Sequence, residues 1–328
     1  MAEKNVVTAI RDALREAMAE DDRVVVLGED VGARGGVFRV TEGFQEAFGE
    51  GRVIDTPLAE NAIVGIALGM ALDGLRPVAE IEFADFIHPA FDQIVSEVAR
   101  MRYRTNGDWS LPLVIRTPWG GGVHGALYHS QSIESFYAHV PGLKVVLPST
   151  PADAAGLLRA AIDDPDPVLF LEHKRTYRLV KGDVPEGPVR VAIGPVDVKR
   201  SGEDLSVYAY GLMLHHCLEA AERLQAEDGF SAEVVDVRTL APLDREGILA
   251  SVRRTGKALV VHEDSRTFGA GAEIAATIAE DAFFDLDAPP VRLAGPDAPA
   301  MPFNPVLEHA YLLDVDRIHA AMLELARF

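Results

Sequence analysis

Short blocks of apolar, β-branched residues alternate along this chain with longer stretches in which apolar side chains recur at helical spacing. Residues 6–18 carry the helical spacing, and residues 24–27 then read as a buried strand that closes at Gly28. A short strand is expected over 52–55. The run 60–72 predicts a helix of small residues, where Gly65 and Gly69 permit close packing. Further strands are expected over 78–83, 113–116, 145–147 and 168–171, with helices over 91–103 and 152–162. The pattern lapses into glycine, proline and charge over 181–195 and then restarts. Strands follow over 205–210, 232–237 and 258–262. Helices follow over 214–225, 244–254 and 272–282, with Asp244 as a predicted N-cap. Strands alternating with helices imply mainly parallel sheets flanked by helices. The expected fold class is α/β, in two domains: residues 1–185, a linker over 186–200, and residues 201–328.

Composition narrows the function mainly by exclusion. A length of 328 residues agrees with two domains rather than one. With 31 basic against 51 acidic residues the net charge is -20, a surface that repels nucleic acid and anionic lipid and suits a basic protein partner. Plain solubility explains the same charge. The single cysteine, Cys217, rules out an internal disulfide framework and fits a reducing compartment. No apolar run stands behind a basic start, so no secretory signal is expected. The longest apolar stretch, 62–72, falls short of the ~20 residues that span a bilayer. A cytoplasmic location is expected, with no membrane or nucleic-acid partner.

Open parallel sheets place their chemistry at strand ends and in the loops that follow. At 55–60, Asp-Thr-Pro-Leu-Ala-Glu, Glu60 opens the small-residue helix; a carboxylate there either offsets the helix dipole or is aimed into a cleft. At 80–92 carboxylates and aromatics meet at a strand-to-helix junction, and Phe83, Phe86 and Phe91 taken alone read as core. At 119–139, Gly120, Gly121 and Gly122 precede His124, Gly125, Tyr128, His129, Ser130, Gln131 and Ser132. Successive glycines suit a phosphate, but without a following Lys-Ser or Lys-Thr this is not a nucleotide P-loop. His124 and His129 lack the spacing of a helical metal pair and no cysteine accompanies them, which argues against zinc. No Gly-x-Ser-x-Gly elbow supports a serine hydrolase.

Taken in order, these stretches resemble the beta subunit of the thiamin-diphosphate-dependent decarboxylating component of 2-oxo acid dehydrogenase complexes. The likeness runs over essentially the whole chain. It includes Leu27-Gly28-Glu29-Asp30-Val31, residues 55–60, Phe91-Asp92-Gln93-Ile94-Val95, the strings at 141–146 and 148–151, and residues 235–240. His-Gly-Ala-Leu-Tyr-His-Ser-Gln-Ser at 124–132, with the strings at 83–85 and 137–139, is similar to the branched-chain 2-oxo acid enzymes. Glu82, Phe86 and Ile133 depart from that pattern, where Gln, Tyr and Pro are usual. Phe86 and the run 120–124 are also similar to bacterial pyruvate enzymes.

The resemblance implies a thiamin-diphosphate-binding pyrimidine domain followed by a transketolase C-terminal-like domain. It implies that the cofactor lies between subunits with its aminopyrimidine ring held by this chain. Glu60 matches the glutamate that contacts the ring nitrogen, where burial would favour its proton. Phe86 matches the residue stacked on the ring, and Leu58 and Glu82 match cofactor-lining positions. His129 matches a histidine near the reacting centre, expected to deliver a proton as the acyl group passes to lipoyl. A structural potassium ion is implied near Leu113, Val114, Ala161, Asp164 and Asp166, largely through main-chain carbonyls.

The family's magnesium–diphosphate motif begins Gly-Asp-Gly, which is absent here; the nearest string is Gly182-Asp183-Val184. The resemblance therefore implies an alpha subunit that holds magnesium, in a heterotetramer of two alpha and two beta chains. It also implies a lipoyl-bearing acyltransferase core docked on the C-terminal domain, for which Glu280, Asp281, Asp285 and Asp287 offer an acidic landing patch. Gly125 and Ala126 beside Tyr128 suggest a pocket roomier than pyruvate needs. The expected activity is oxidative decarboxylation of branched-chain 2-oxo acids with reductive acylation of lipoyl groups. A pyruvate dehydrogenase beta subunit is the alternative substrate assignment, and a non-catalytic docking scaffold the alternative of another class.

Overall fold

The computed structural model describes residues 1–328. The chain forms two compact units, Met1–Trp119 with Phe136–Ile193 and Gly120–Ser135 with Gly194–Phe328. No helix is long and apolar enough to cross a membrane.

The first unit contains β1 (Ala2–Asn5), β2 (Val24–Gly28), β3 (Val53–Asp55), β4 (Arg76–Glu80), β5 (Val114–Trp119), β6 (Lys144–Val146), β7 (Val168–His173) and β8 (Lys181–Val184). Six of these lie side by side in the order β6-β7-β5-β4-β2-β3, all parallel. Val24, Val26, Val78, Val114, Val168 and Phe170 share one core with the helices Val6–Glu20 and Pro151–Asp163. The alternate residues Val25, Leu27, Ala79 and Ile115 face the other way, and the helix Glu60–Leu72 packs against β2 and β4. Burial on both faces is why these strands read as unbroken apolar runs. Asn5 starts the first helix by accepting the Thr8 N–H at 2.9 Å. Thr150 caps the Pro151–Asp163 helix, whose opening proline needs no N–H partner.

Three local differences from expectation have physical causes. β1 and β8 pair antiparallel through short polar segments whose partners are remote in sequence, so residues 181–184 are ordered strand. β4 begins at Arg76 and ends at Glu80, because the chain then turns through two 3₁₀ turns, Ala84–Phe86 and His88–Ala90, the second holding Pro89. The expected helix over 91–103 is a π turn, Gln93–Val98, followed by a short α segment, Met101–Arg104. Phe91, read as core from sequence, is 41% exposed.

The second unit contains β9 (Asp197–Arg200), β10 (Leu205–Ala209), β11 (Ala232–Asp236), β12 (Thr239–Ala241), β13 (Ala258–Ser265) and β14 (Val291–Gly295). Five run in the order β14-β13-β10-β11-β9, parallel except for the antiparallel edge strand β9. Leu205, Val207 and Ala209 pack with the helices Leu212–Asp228 and Val315–Ala326. Ser206 and Tyr208 alternate to the other face, where the Tyr208 hydroxyl donates to the Ile248 carbonyl of the helix Arg245–Thr255 at 2.9 Å. Asp244 caps that helix, accepting the Gly247 N–H at 3.0 Å, as the sequence predicts.

Candidate functional site

In a parallel sheet every strand ends at the same edge, so the residues following β2, β3 and β4 converge. Gly28 lies opposite both Asp55 of β3 and Glu80 of β4. Glu29 and Asp30 follow β2, Leu58 and Glu60 follow β3, and Glu82 follows β4. Six carboxyl groups are thereby gathered at one edge. Burial, then repulsion from Asp30 and Glu60, pushes the Glu29 carboxyl above its ordinary value. Glu82 is pushed up to about 7, first by burial and then by Glu29, Asp30, Glu80 and Glu60. A carboxyl there exchanges its proton near neutral pH and can both hold and give it up. Glu60 is the first residue of its helix and is half-buried, while Leu58 is 70% exposed beside it. Of the residues singled out by sequence, Leu58, Glu60 and Glu82 thus come together. Glu29 joins them; in sequence it stands directly after a strand, within the Leu27–Val31 string, with no role assigned to it.

Phe86 closes the 3₁₀ turn after Glu82 and is half-buried. Its ring meets Phe83 edge-on at 6.0 Å, and Phe83 meets Phe38 at 5.6 Å. The Lys174 ammonium lies 5.8 Å from the Phe83 ring centre. This aromatic row holds Phe86 at the sheet edge.

Beneath the edge lies a buried ionic group. Arg116 of β5 donates to both oxygens of Glu172 at 2.8 and 2.7 Å, and to Glu80. The Tyr177 hydroxyl also donates to Glu172, at 2.5 Å. Burial pushes the Glu80 carboxyl up against the opposing pull of Arg116. The network anchors the end of β4, from which the Glu82 turn departs.

The residues expected around potassium lie together on the far side of the unit. The Leu113 carbonyl accepts the Val168 N–H at 2.9 Å, and the Ala161 carbonyl accepts the Asp164 N–H at 3.3 Å. Val114 is buried in β5. Both oxygens of Asp164 accept from Lys144 at 2.6 Å, and Asp166 pairs with Arg102. Both carboxylates are therefore already matched by side-chain cations, so a cation here would rest on the carbonyl oxygens, of which those of Leu113 and Ala161 each accept one N–H and keep a second lone pair.

His129 is in the other unit, half-buried at the end of the short helix Ala126–His129. The segment Gly120–Ser135 that carries it is held by acidic side chains from far along the chain. Glu263 accepts the Gly121 N–H at 2.5 Å, and Glu308 accepts those of Gly122 and His124 at 3.0 and 3.2 Å. Nothing in the local sequence points to Glu263 or Glu308. Gly125 also proves to be small for the segment's own packing, since a Cβ there would sit 2.6 Å from His129 Cβ and 2.8 Å from Ser130 Oγ.

Residues 2–180 match the transketolase pyrimidine-binding domain, and residues 194–318 the transketolase C-terminal domain. Over 328 residues, covering 100% of both chains, the sequence is 57% identical to the 2-oxoisovalerate dehydrogenase subunit beta of Bacillus subtilis. The chain belongs to the beta-subunit family of the thiamin-diphosphate-dependent 2-oxo acid dehydrogenases. It is also 50% identical over 327 residues to the pyruvate dehydrogenase E1 component subunit beta of Bacillus subtilis, covering 100% of this chain and 98% of that one. A split gene transketolase solved as an inactive beta4 tetramer superposes with a TM-score of 0.79 at 27% identity, covering 98% of each chain.

Proposed function

We propose that this chain provides the pyrimidine-facing half of the active site in a branched-chain 2-oxo acid dehydrogenase. The observation that carries the proposal is the carboxyl cluster at the edge of the transketolase-type pyrimidine domain, with Glu82 poised near neutrality beside Glu60. The cluster suits a neutral nitrogen heterocycle. An aromatic face at Phe86 and an apolar side chain at Leu58 would flank the ring, while Glu60 would meet a ring nitrogen. Repulsion among Glu29, Glu60 and Glu82 favours a proton held within the group, which a ring nitrogen can accept. The same negative charge opposes a diphosphate. The diphosphate and its magnesium therefore belong on an alpha subunit, in the two-alpha, two-beta assembly.

When bound, thiamin diphosphate supplies the nucleophile and the electron sink for loss of carbon dioxide from a 2-oxo acid. The chain's own work is to orient the ring through Phe86 and Leu58, and to hold and return the proton at Glu60. His129 delivers a proton as the acyl group passes to a lipoyl group. Potassium enters no step. Docking of a lipoyl-bearing core would use the acidic helix end at Glu280, Asp281, Asp285 and Asp287. Arg245 pairs with Asp281 at 2.7 Å and Arg253 with Asp285 at 3.4 Å, drawing charge out of that patch.

The 57% identity to a 2-oxoisovalerate enzyme supports the branched-chain substrate, and the 50% identity to a pyruvate enzyme supports the second assignment. Calorimetric titration with thiamin diphosphate, with and without an alpha chain, tests the half-site. Binding is expected only with the alpha chain, and tight binding by this chain alone would overturn the assignment. In the assembled enzyme 3-methyl-2-oxobutanoate should exceed pyruvate in kcat/KM; a clear preference for pyruvate selects the second assignment.

A further inference from the structure

The second unit keeps a separate group of carboxylates under cover: Glu134, Glu263 and Glu308 are buried and Asp264 is partly so. All four engage the segment Gly120–Ser135 or its end. Asp264 accepts the Ser135 hydroxyl at 2.6 Å, and Glu134 accepts the Tyr210 hydroxyl at 2.8 Å. Glu308, at 2% exposure, does the most. One of its oxygens accepts the N–H groups of both Gly122 and His124, and the other pairs with His124 Nδ1.

The backbone so held is an unfavourable one. His124 and Ala126 have φ of 56° and 55°, in the left-handed region that a Cβ disfavours. Such residues persist only when their surroundings over-determine them. Water does not compete for the Glu308 oxygens, so its hydrogen bonds count at nearly full strength. The Ala126–His129 turn starts immediately after, and Gly125 packs directly on the His129 side chain. The direction in which His129 is presented is therefore set by the left-handed turn.

We propose that Glu308 is a positioning residue for His129, clamping the left-handed turn at His124 and so aiming the imidazole. The proposal rests on the assignment of His129 to acyl transfer given above. Glu308 itself touches no reacting atom. Its loss should appear in the step that uses His129 and much less in decarboxylation.

In the assembled enzyme, Glu308→Ala should slow lipoyl acylation about 100-fold, the scale of a misplacement of about 1 Å. Decarboxylation read with a dye acceptor should fall at least about ten-fold less. Glu308→Gln keeps an oxygen for both N–H groups and should recover most of the acylation rate. Hydrogen exchange of the full-length chain should speed up in peptides spanning 120–129 in the Ala variant and not in the Gln variant. A purely structural role predicts that both activities fall in parallel without rescue by Gln, and that result overturns the proposal. Unchanged exchange over 120–129 in Glu308→Ala overturns it equally. His129→Ala serves as the separate control: if acylation survives that change, the assignment of His129 fails, and the exchange result still decides the clamp.

Discussion

Arg116 is 1% exposed, between Glu80 and Glu172 in the sheet of the first unit. Replacing it with leucine keeps apolar bulk but leaves two buried carboxyls without their cation. Removing one partner of a buried ion pair costs about 3–5 kcal/mol. For a unit of this size each kcal/mol lowers the melting temperature by about 2–4 °C, so a fall of roughly 6–20 °C is expected. The loss should depend on pH, with a definite sign. Glu80 already sits above the ordinary carboxylate range, because burial outweighs Arg116's pull. Without Arg116 its folded-state value climbs further, so the folded variant binds a proton that the unfolded chain has released. The variant then loses stability as pH rises above the unfolded value, by at most about 1.4 kcal/mol per pH unit. The gap from the parent should be narrowest near pH 5 and widest near pH 8, measured by circular-dichroism melts at intermediate steps. Adding Glu172→Leu should restore part of the loss, since it removes a charge left without a partner. Melting within about 2 °C of the parent, or a gap that ignores pH, would refute the reasoning and mean that the carboxyls reach water by local opening.

Glu60→Gln should leave assembly intact while lowering decarboxylation by roughly 10²–10⁴-fold, the range for lost acid–base help; near-normal turnover sinks its assignment. Glu82, raised from 4.5 to about 7, contributes stability that is present at low pH and lost as pH rises across that interval. Melting of the parent chain should therefore fall more between pH 5 and 7 than that of Glu82→Gln, and equal slopes would count against the cluster. Reversing Glu280 and Asp281 to lysine should slow capture by a basic binding domain several-fold at low salt, with the difference fading at high salt. A stopped-flow capture rate indifferent to both changes would place docking elsewhere.

The parts of the fold that are local in origin could be read from sequence. Val24 to Leu27 is apolar throughout because β2 is buried on both faces, and Asp244 announces its helix because a cap acts within one turn. Pairings between remote segments left no such trace. β9 is an edge strand whose charged residues Asp197, Lys199 and Arg200 look like linker, and β1 finds its partner only at residues 181–184. The site divides in the same way. Strand-end logic finds the stretches 55–60 and 80–92, and the family resemblance picks Leu58, Glu60 and Glu82 within them, whereas the perturbed carboxyl at Glu29 follows from its neighbours in space. The smallness of Gly125 was visible, but the atoms beside it, His129 Cβ and Ser130 Oγ, were not, because they are brought there by the fold of the turn.

The clamp on Gly120–Ser135 also has a history within the life of each molecule. Glu263 and Glu308 lie 142 and 186 residues beyond the glycines they hold. At ~5–20 residues per second a ribosome reaches Glu308 roughly 10–40 s after it has made Gly122. Until then the left-handed turn at His124 has only the segment's own hydrogen bonds, such as Gly125 N–H to Ser130 Oγ, to hold it. Chains broken off before residue 308 carry every strand of the first unit's sheet but lack the carboxylate that holds Gly122 and His124. Protection of the Gly120–Ser135 backbone is thus a report on whether the last part of the message has been translated.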